Sequence, residues 1–231
     1  MKYIATLPGR FIDRPNRFVA HVDVGGVTET VHVKNTGRCR ELLLPGTAVT
    51  LASADDPGRK TKYDLISVRK AGLGWVNIDS QAPNAVVKEW LASSPAEFRD
   101  ITFLKPEYTY GSSRVDFYLE CGPRRVLLEV KGCTLEMGGI GYFPDAPTER
   151  GVKHLHELTR AVAEGYECYL AFVIALPGIT TVLPNRVTHP AFGEALDTAV
   201  NAGVRVLYLP CDVKPDELTI LRNHLSPENK T

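Results

Sequence analysis

RVDFYLECGPRRVLLEVK, residues 114–131, holds two apolar runs, Arg114 to Glu120 and Arg125 to Lys131, around a Cys121-Gly122-Pro123 turn. Runs of this length, rich in Val, Leu, Phe and Tyr and separated by turn residues, predict a β-hairpin. Side chains alternate between faces along a strand, so Glu129 and Lys131 project to one side and Val130 to the other. Asp116, on the paired strand, can share the side of Glu129. Two carboxylates and an ammonium would then converge on rigid elements. Phosphodiester hydrolysis needs such a group: carboxylates hold a hard divalent cation, Mg2+ or Mn2+, which activates water and relieves charge building on the phosphate. The candidate catalytic residues are therefore Asp116, Glu129 and Lys131, and the candidate metal ligands are Asp116, Glu129 and the Val130 carbonyl.

An acid two residues before a lysine occurs three times: at Glu129-Val130-Lys131, Asp212-Val213-Lys214 and Glu228-Asn229-Lys230. Only the first ends an apolar strand with an acid on the strand before it. The competing reading of this motif is a solvated strand edge.

Downstream of the hairpin the pattern lengthens. A helix is expected from Thr148 to Glu164, with Pro144 and Pro147 ahead of it, Thr148 or Asp145 as its cap, and Leu155, Leu158 and Val162 as its apolar stripe. Strand 169–175, helix 191–202 and strand 204–209 follow, an α/β arrangement with one right-handed crossover. Arg150 and Lys153 lie in the first turn of the 148–164 helix, where unpaired N–H groups favour a phosphate. An ordinary solvated helix start explains the same residues. His154 and His156, two apart, lack the i, i+4 spacing of a zinc pair and are expected in the core or on the surface. Gly138-Gly139-Ile140-Gly141 lacks the GxxxxGK[ST] pattern of a nucleotide loop and reads as a mobile loop near the site. Ser112-Ser113 lacks the GxSxG surroundings of a serine nucleophile.

Upstream, residues 1–80 read as six short strands: 9–13, 17–24, 27–33, 47–52, 63–69 and 73–78. Gly25-Gly26 between two alternating runs is a hairpin signal. Short strands with Gly and Pro turns imply a small closed barrel, here OB-like. Residues 83–91 have helical spacing and form a connector over 81–95, which divides the chain into a barrel, 1–80, and an α/β domain, 81–231. The barrel segment Lys34-Asn35-Thr36-Gly37-Arg38-Cys39-Arg40 combines cations with short hydrogen-bonding side chains suited to backbone phosphates, and Arg59, Lys60, Lys62, Arg69 and Lys70 add charge.

The formal net charge is zero, but it is unevenly spread. Residues 1–80 carry 12 Lys+Arg against 8 Asp+Glu, and the remainder 15 against 19. A basic module beside an acidic one fits a polyanion-gripping barrel next to metal-binding carboxylates, though uneven surface charge explains the numbers equally well. The longest apolar run, Cys168 to Leu176, falls far short of the ~20 residues of a membrane span. Neither a signal sequence nor a CxxC pair stands out, and five scattered cysteines suggest neither a disulfide framework nor a zinc site, so a cytoplasmic protein is expected.

Four stretches resemble the sugar fermentation stimulation protein A family. They are Asn35-Thr36-Gly37 with Pro45-Gly46, then Tyr110-Gly111 with Arg114-Val115-Asp116-Phe117, then Glu129-Val130-Lys131. The fourth and longest is Gly141 to Gly151, GYFPDAPTERG, with Lys153-His154-Leu155. Lys34 stands where proline is expected in that pattern, and Val115 rather than proline precedes Asp116. The resemblance implies an N-terminal OB-fold joined to a PD-(D/E)xK nuclease-like domain in a DNA-binding protein linked to sugar, notably maltose, metabolism. It places Asp116, Glu129 and Lys131 at the superfamily's catalytic positions, with Glu107 and Glu149 as additional acids near the site. DNA contacts are expected from Lys34, Asn35, Arg38, Arg40, Arg114, Arg150 and Lys153, without strong sequence preference. A homo-oligomer is compatible with the sequence. Two activities remain open: a Mg2+- or Mn2+-dependent DNA endonuclease, or a non-catalytic DNA-binding regulator that keeps the nuclease fold. A sugar-binding enzyme has only the family name behind it.

Overall fold

The computed structural model describes residues 1–35, 37–54 and 58–221. Thr36 and the Glu228-Asn229-Lys230 motif lie outside them.

The N-terminal strands form where the alternating runs predict them: β1 (Thr6–Asn16), β2 (Val19–Val24), β3 (Val27–His32), β4 (Ala48–Ser53) and β5 (Tyr63–Lys70). They pair in the order β3-β2-β1-β4-β5, and a parallel bridge between His32 and Asp64 joins β3 to β5. This closes a five-stranded OB-like barrel, and β6 (Gly74–Asn77) extends it beside β5. Gly25 and Gly26 turn the β2–β3 hairpin at φ of +62° and +89°, values that L side chains adopt poorly. Phe11, Val22, Val31, Val49, Leu51 and Leu65 fill the barrel.

α1 (Ala82–Ala92) follows, with Pro83 in its first turn, where a missing N–H removes no helical bond. This connector helix does more than link. Val86, Val87, Trp90 and Leu91 bury themselves against Phe117, Leu128 and Val130, so α1 covers one face of the next sheet.

That sheet has six strands in the order β15-β14-β12-β9-β8-β7. β7 (Ile101–Tyr110), β8 (Ser113–Cys121) and β9 (Arg124–Cys133) form an antiparallel meander that includes the expected hairpin. After a small excursion through β10 (Leu135–Met137) and β11 (Ile140–Phe143), α2 (Glu149–Ala163) leads to β12 (Glu167–Ile174), parallel to β9. β13 (Val182–Pro184) and α3 (Pro190–Ala202) then lead to β14 (Arg205–Lys214), parallel to β12 and followed by the antiparallel β15 (Glu217–Ile220). The chain thus makes two parallel crossovers, where the sequence led us to expect one. α2 and α3 pack on the face opposite α1, through Leu155, Leu158, Phe192 and Leu196.

One expectation changes, and two open readings are decided. Gly138 and Gly139 form the turn of the β10–β11 hairpin, held by the Gly139 N–H on Glu136, where a mobile loop was expected. Short strands of three or four residues bounded by glycine carry too little apolar pattern to show in a sequence. Thr148, not Asp145, caps α2 by accepting the Gly151 N–H at 3.1 Å. Asp212 and Lys214 lie on β14, near the sheet edge opposite β8, where Lys214 is engaged by Glu217 at 3.0 Å. That motif is a surface ion pair.

Barrel and sheet abut through hydrogen bonds that bridge them: Ser67 Oγ to the Pro215 carbonyl at 2.6 Å, Lys70 Nζ to Glu136 at 2.6 Å, and the Cys39 N–H to Asp145 at 2.7 Å. Among the described residues no helix is long and apolar enough to cross a membrane.

Candidate functional site

Along β8 and β9 the ladder runs from Cys121–Arg124 to Phe117–Leu128 and stops there. Beyond it Val115 packs into the α2-side core while Phe117 packs into the α1-side core. The strand therefore does not alternate through Asp116, and its carboxylate takes the place of the missing ladder partner. Asp116 Oδ2 accepts the Val130 N–H at 2.7 Å, and Oδ1 accepts Asn84 Nδ2 at 2.8 Å from α1. Burial, then the charge of Glu129, pushes the Asp116 carboxyl above its ordinary value.

Glu129 on β9 is 2% exposed. Its Oε1 accepts Lys131 Nζ at 2.5 Å and is also hydrogen-bonded by His154 Nδ1 from α2. Its Oε2 is buried and has no hydrogen-bond partner among the described residues. Burial raises the Glu129 carboxyl, but Lys131 and His154 outweigh it and hold the group below the usual carboxylate range. A buried acceptor left open beside a second carboxylate is what a cation ligand needs, since an unsatisfied buried oxygen otherwise costs free energy. The residues present fit a divalent ion held by Glu129 and Asp116. Among the described residues, no third His, Cys, Asp or Glu joins them in a metal-ligating group.

These residues form the floor of a cleft of about 1050 Å³ between barrel and sheet. The barrel wall comes from Arg14, Arg17, Asn35, Gly37, Arg38 and Arg40, and the opposite wall from Tyr142, Phe143, Pro144, Asp145, Arg150 and Gly151. Gly37 lets the walls meet, because a Cβ there would lie 2.8 Å from Asn35 Oδ1 and 2.9 Å from Asp145 Oδ2. Arg14 fixes the barrel wall: its guanidinium donates to the carbonyls of Arg17, Asn35, Gly37 and Arg38 at 2.7–3.0 Å. It pairs with no described carboxylate, so its charge stays in the cleft.

The structure sorts the residues expected to meet DNA. Asn35, Arg38, Arg40 and Arg150 line the cleft, together with Arg14 and Arg17, which the sequence did not single out. Lys34 does not; its ammonium lies 3.1 Å from Asp64 and 3.3 Å from Asp79 and is neutralised there. Arg59, Lys62 and Lys70 are likewise paired, with Asp64, Glu29 and Glu136. Arg114 and Lys153 lie outside the cleft lining, the first on Glu107 at 3.1 Å and the second on the Ser112 carbonyl at 2.8 Å. Neither additional acid reaches the carboxylate pair. Glu107 sits on β7, between the partners of Val115 and Phe117, and turns its exposed side chain to Arg114. Glu149 turns to His189 Nε2 at 3.2 Å.

Two residues of the site escaped sequence reasoning. His154 is buried on Glu129, neither core filler nor surface, and Arg150 Nε approaches its other nitrogen at 3.3 Å one turn earlier on α2. The i, i+4 spacing of Arg150 and His154 was the available signal. Asn84 lies on the connector helix, far from the motif in sequence, and nothing local marked it.

Residues 12–78 match the SfsA N-terminal OB domain, and residues 81–217 match the sugar fermentation stimulation protein RE domain. The chain belongs to the sugar fermentation stimulation protein family. It is 53% identical over 94% of both chains to a sugar fermentation stimulation protein homolog of Desulfitobacterium hafniense. It is 50% identical to the homolog of Ruminiclostridium cellulolyticum, covering 93% of this chain and 94% of the other. The solved structure of Pyrococcus furiosus SfsA in complex with Ca2+ superposes with a TM-score of 0.84 at 28% identity, covering 97% of this chain and 96% of that one. Membership of the family accounts for the barrel and the mixed sheet.

Proposed function

We infer that this protein binds DNA in the cleft and hydrolyses its phosphodiesters with a divalent cation, Mg2+ or Mn2+, held by Asp116 and Glu129. The observation that carries this is the buried Oε2 of Glu129, without a hydrogen-bond partner among the described residues, beside Asp116 on the floor of a cleft walled by arginines. The Ca2+ in the Pyrococcus furiosus relative supports a divalent site in this family. Ca2+ and Mg2+ both take oxygen ligands, which two carboxylates supply. Such a cation would polarise the phosphate and lower the pKa of a bound water.

The chain's own residues do the rest. The Val130 N–H and Asn84 fix the orientation of Asp116. His154 and Lys131 occupy one oxygen of Glu129, which leaves the other for the ion. Lys131 also sets an ammonium where charge develops on the phosphate. The cleft arginines hold flanking phosphates by charge-assisted hydrogen bonds, which carry little base information.

A second reading has its own support. Only two carboxylates converge among the described residues, which favours a DNA-binding regulator that holds an ion without rapid turnover. On either reading the connection to sugar use, maltose included, runs through DNA and rests on the family name. Incubation of plasmid and linear DNA with Mg2+ or Mn2+ separates the two. Cleavage by the wild type that disappears in Asp116→Ala and Lys131→Ala supports the nuclease, and cleavage that survives both changes overturns the site. DNA binding without cleavage in any variant selects the regulator.

A further inference from the structure

The site sits deep rather than on a ridge. Glu129 is 2% exposed at the floor of the cleft, and the two walls are bridged by the Cys39–Asp145 hydrogen bond. A carboxylate in this position cannot be offered to the flank or the groove of an intact double helix unless the walls part. The cleft volume, about 1050 Å³, lies just above the ~300–1,000 Å³ typical of sites for drug-sized molecules, which leaves room for a few nucleotides of one strand.

The mouth of the cleft supplies a second observation. Asn16 and Arg17 of the β1–β2 turn line the cleft, and the next residue, Phe18, is 52% exposed. A phenylalanine in water on a tight turn serves no core. The Arg17 guanidinium sits 5.8 Å from the centre of its ring, and the Phe18 backbone is pinned by its N–H on Asn16 and its carbonyl on Val33. The ring is thus presented from a fixed turn with a cation beside it. Arg17, Arg38 and Arg40 line the cleft and form no ion pair with a described carboxylate, so cations lead from this ring into the cleft. An exposed aromatic next to a cationic groove is the arrangement that binds a single strand, with bases stacked on the ring and phosphates in the groove.

We propose that the substrate is single-stranded DNA, one strand lying in the cleft between barrel and sheet with a base stacked on Phe18 at its mouth. The proposal rests on the DNA reading above and adds the strandedness of the substrate and the residue that selects it. In a duplex the base faces are already stacked on their neighbours and are closed to Phe18.

The test is fluorescence anisotropy with the full chain and chelator present, so that nothing is cleaved. It compares a twelve-nucleotide single strand with a hairpin-closed duplex of the same sequence. The single strand is expected to bind at least about tenfold tighter, and Phe18→Ala to weaken it by about five- to hundredfold while leaving duplex binding within about twofold. Phe18→Trp should keep single-strand affinity, and its new indole emission should fall on binding. Equal or tighter binding of the duplex, or Phe18→Ala without effect on the single strand, overturns this proposal and leaves the DNA reading standing. Failure of both probes to bind overturns the DNA reading as well.

Discussion

Asp116 and Glu129 differ by a single methylene, yet their neighbours give them different tasks. Asp116 is held by one backbone N–H and one side-chain amide, both neutral, and burial with a like charge nearby raises its carboxyl. Glu129 is held by an ammonium and an imidazole that keep it ionised. Groups that orient metal ligands from behind typically contribute 10–100-fold to metal affinity or activity. Asn84→Ala is therefore expected to weaken Mg2+ or Ca2+ binding by about tenfold or more, read by calorimetric titration, with little change in folding. An unchanged affinity would remove Asn84 from the site. His154→Ala acts on stability too, because it strips a partner from a buried carboxylate. A loss of about 1–3 kcal/mol in chemical denaturation is expected. The hairpin motif was legible at this scale, since Glu129 and Lys131 end an apolar run and Asp116 lies on the strand before it. The supports were less so: Asn84 on α1 carries no local signature, and His154 on α2 is marked only by its i, i+4 spacing from Arg150.

At the scale of elements, the sheet is a rigid plate that sets the height of the site. Phe172 on β12 is 1% exposed and lies between Phe143 of the cleft wall and Tyr208 of β14, at ring separations of 5.7 and 6.2 Å. Phe172→Ala leaves a cavity under that wall and is expected to destabilise the protein by about 3–5 kcal/mol, measured by urea unfolding. A loss below about 1 kcal/mol would mean that the wall does not depend on this packing. α2 is fixed at its start by Thr148, so Thr148→Ala should lose about 1 kcal/mol and loosen Arg150 and His154 together. Helices α1 and α2 were readable from apolar spacing and proline punctuation. β10, β11, β13 and β15, three or four residues each, were not, because so few residues define no period.

For the molecule as a whole, the cleft exists only because barrel and sheet are docked. One of the barrel's ion clusters centres on Asp64, which joins the barrel seam and engages Arg59, Lys34 and His32. Burial pushes its carboxyl up, but the hydrogen bonds from Arg59 and Lys34 prevail and bring it down to about 2 from an ordinary 3.8. A carboxyl lowered on folding stabilises the folded state above its unfolded value and loses that contribution as pH falls through the folded one. The barrel should therefore weaken between about pH 4 and pH 2, and Asp64→Asn should lower stability at neutral pH while flattening this acid limb in pH-dependent denaturation. An acid limb identical in both proteins would place the effect elsewhere. Asp145→Ala cuts the Cys39 N–H bridge between the walls. Faster hydrogen exchange in residues 37–40 is the expected result, with the cores of both sheets unaffected.

By itself the sequence determined what is local: alternating runs that make strands, Gly25-Gly26 that turns a hairpin, the Pro83 and Thr148 helix starts, and an acid and a lysine two apart on one face. These follow from backbone geometry within a few residues. Tertiary structure alone decided which charges act. It tied Lys34, Arg59, Lys62 and Lys70 to carboxylates and left Arg17, Arg38 and Arg40 along the cleft without a partner among the described carboxylates. It brought Asn84 and His154 to the acids from two helices on opposite faces of one sheet. Formal charge is written in the sequence, but its neutralisation depends on distances across the fold, and those are set only when the barrel closes and docks.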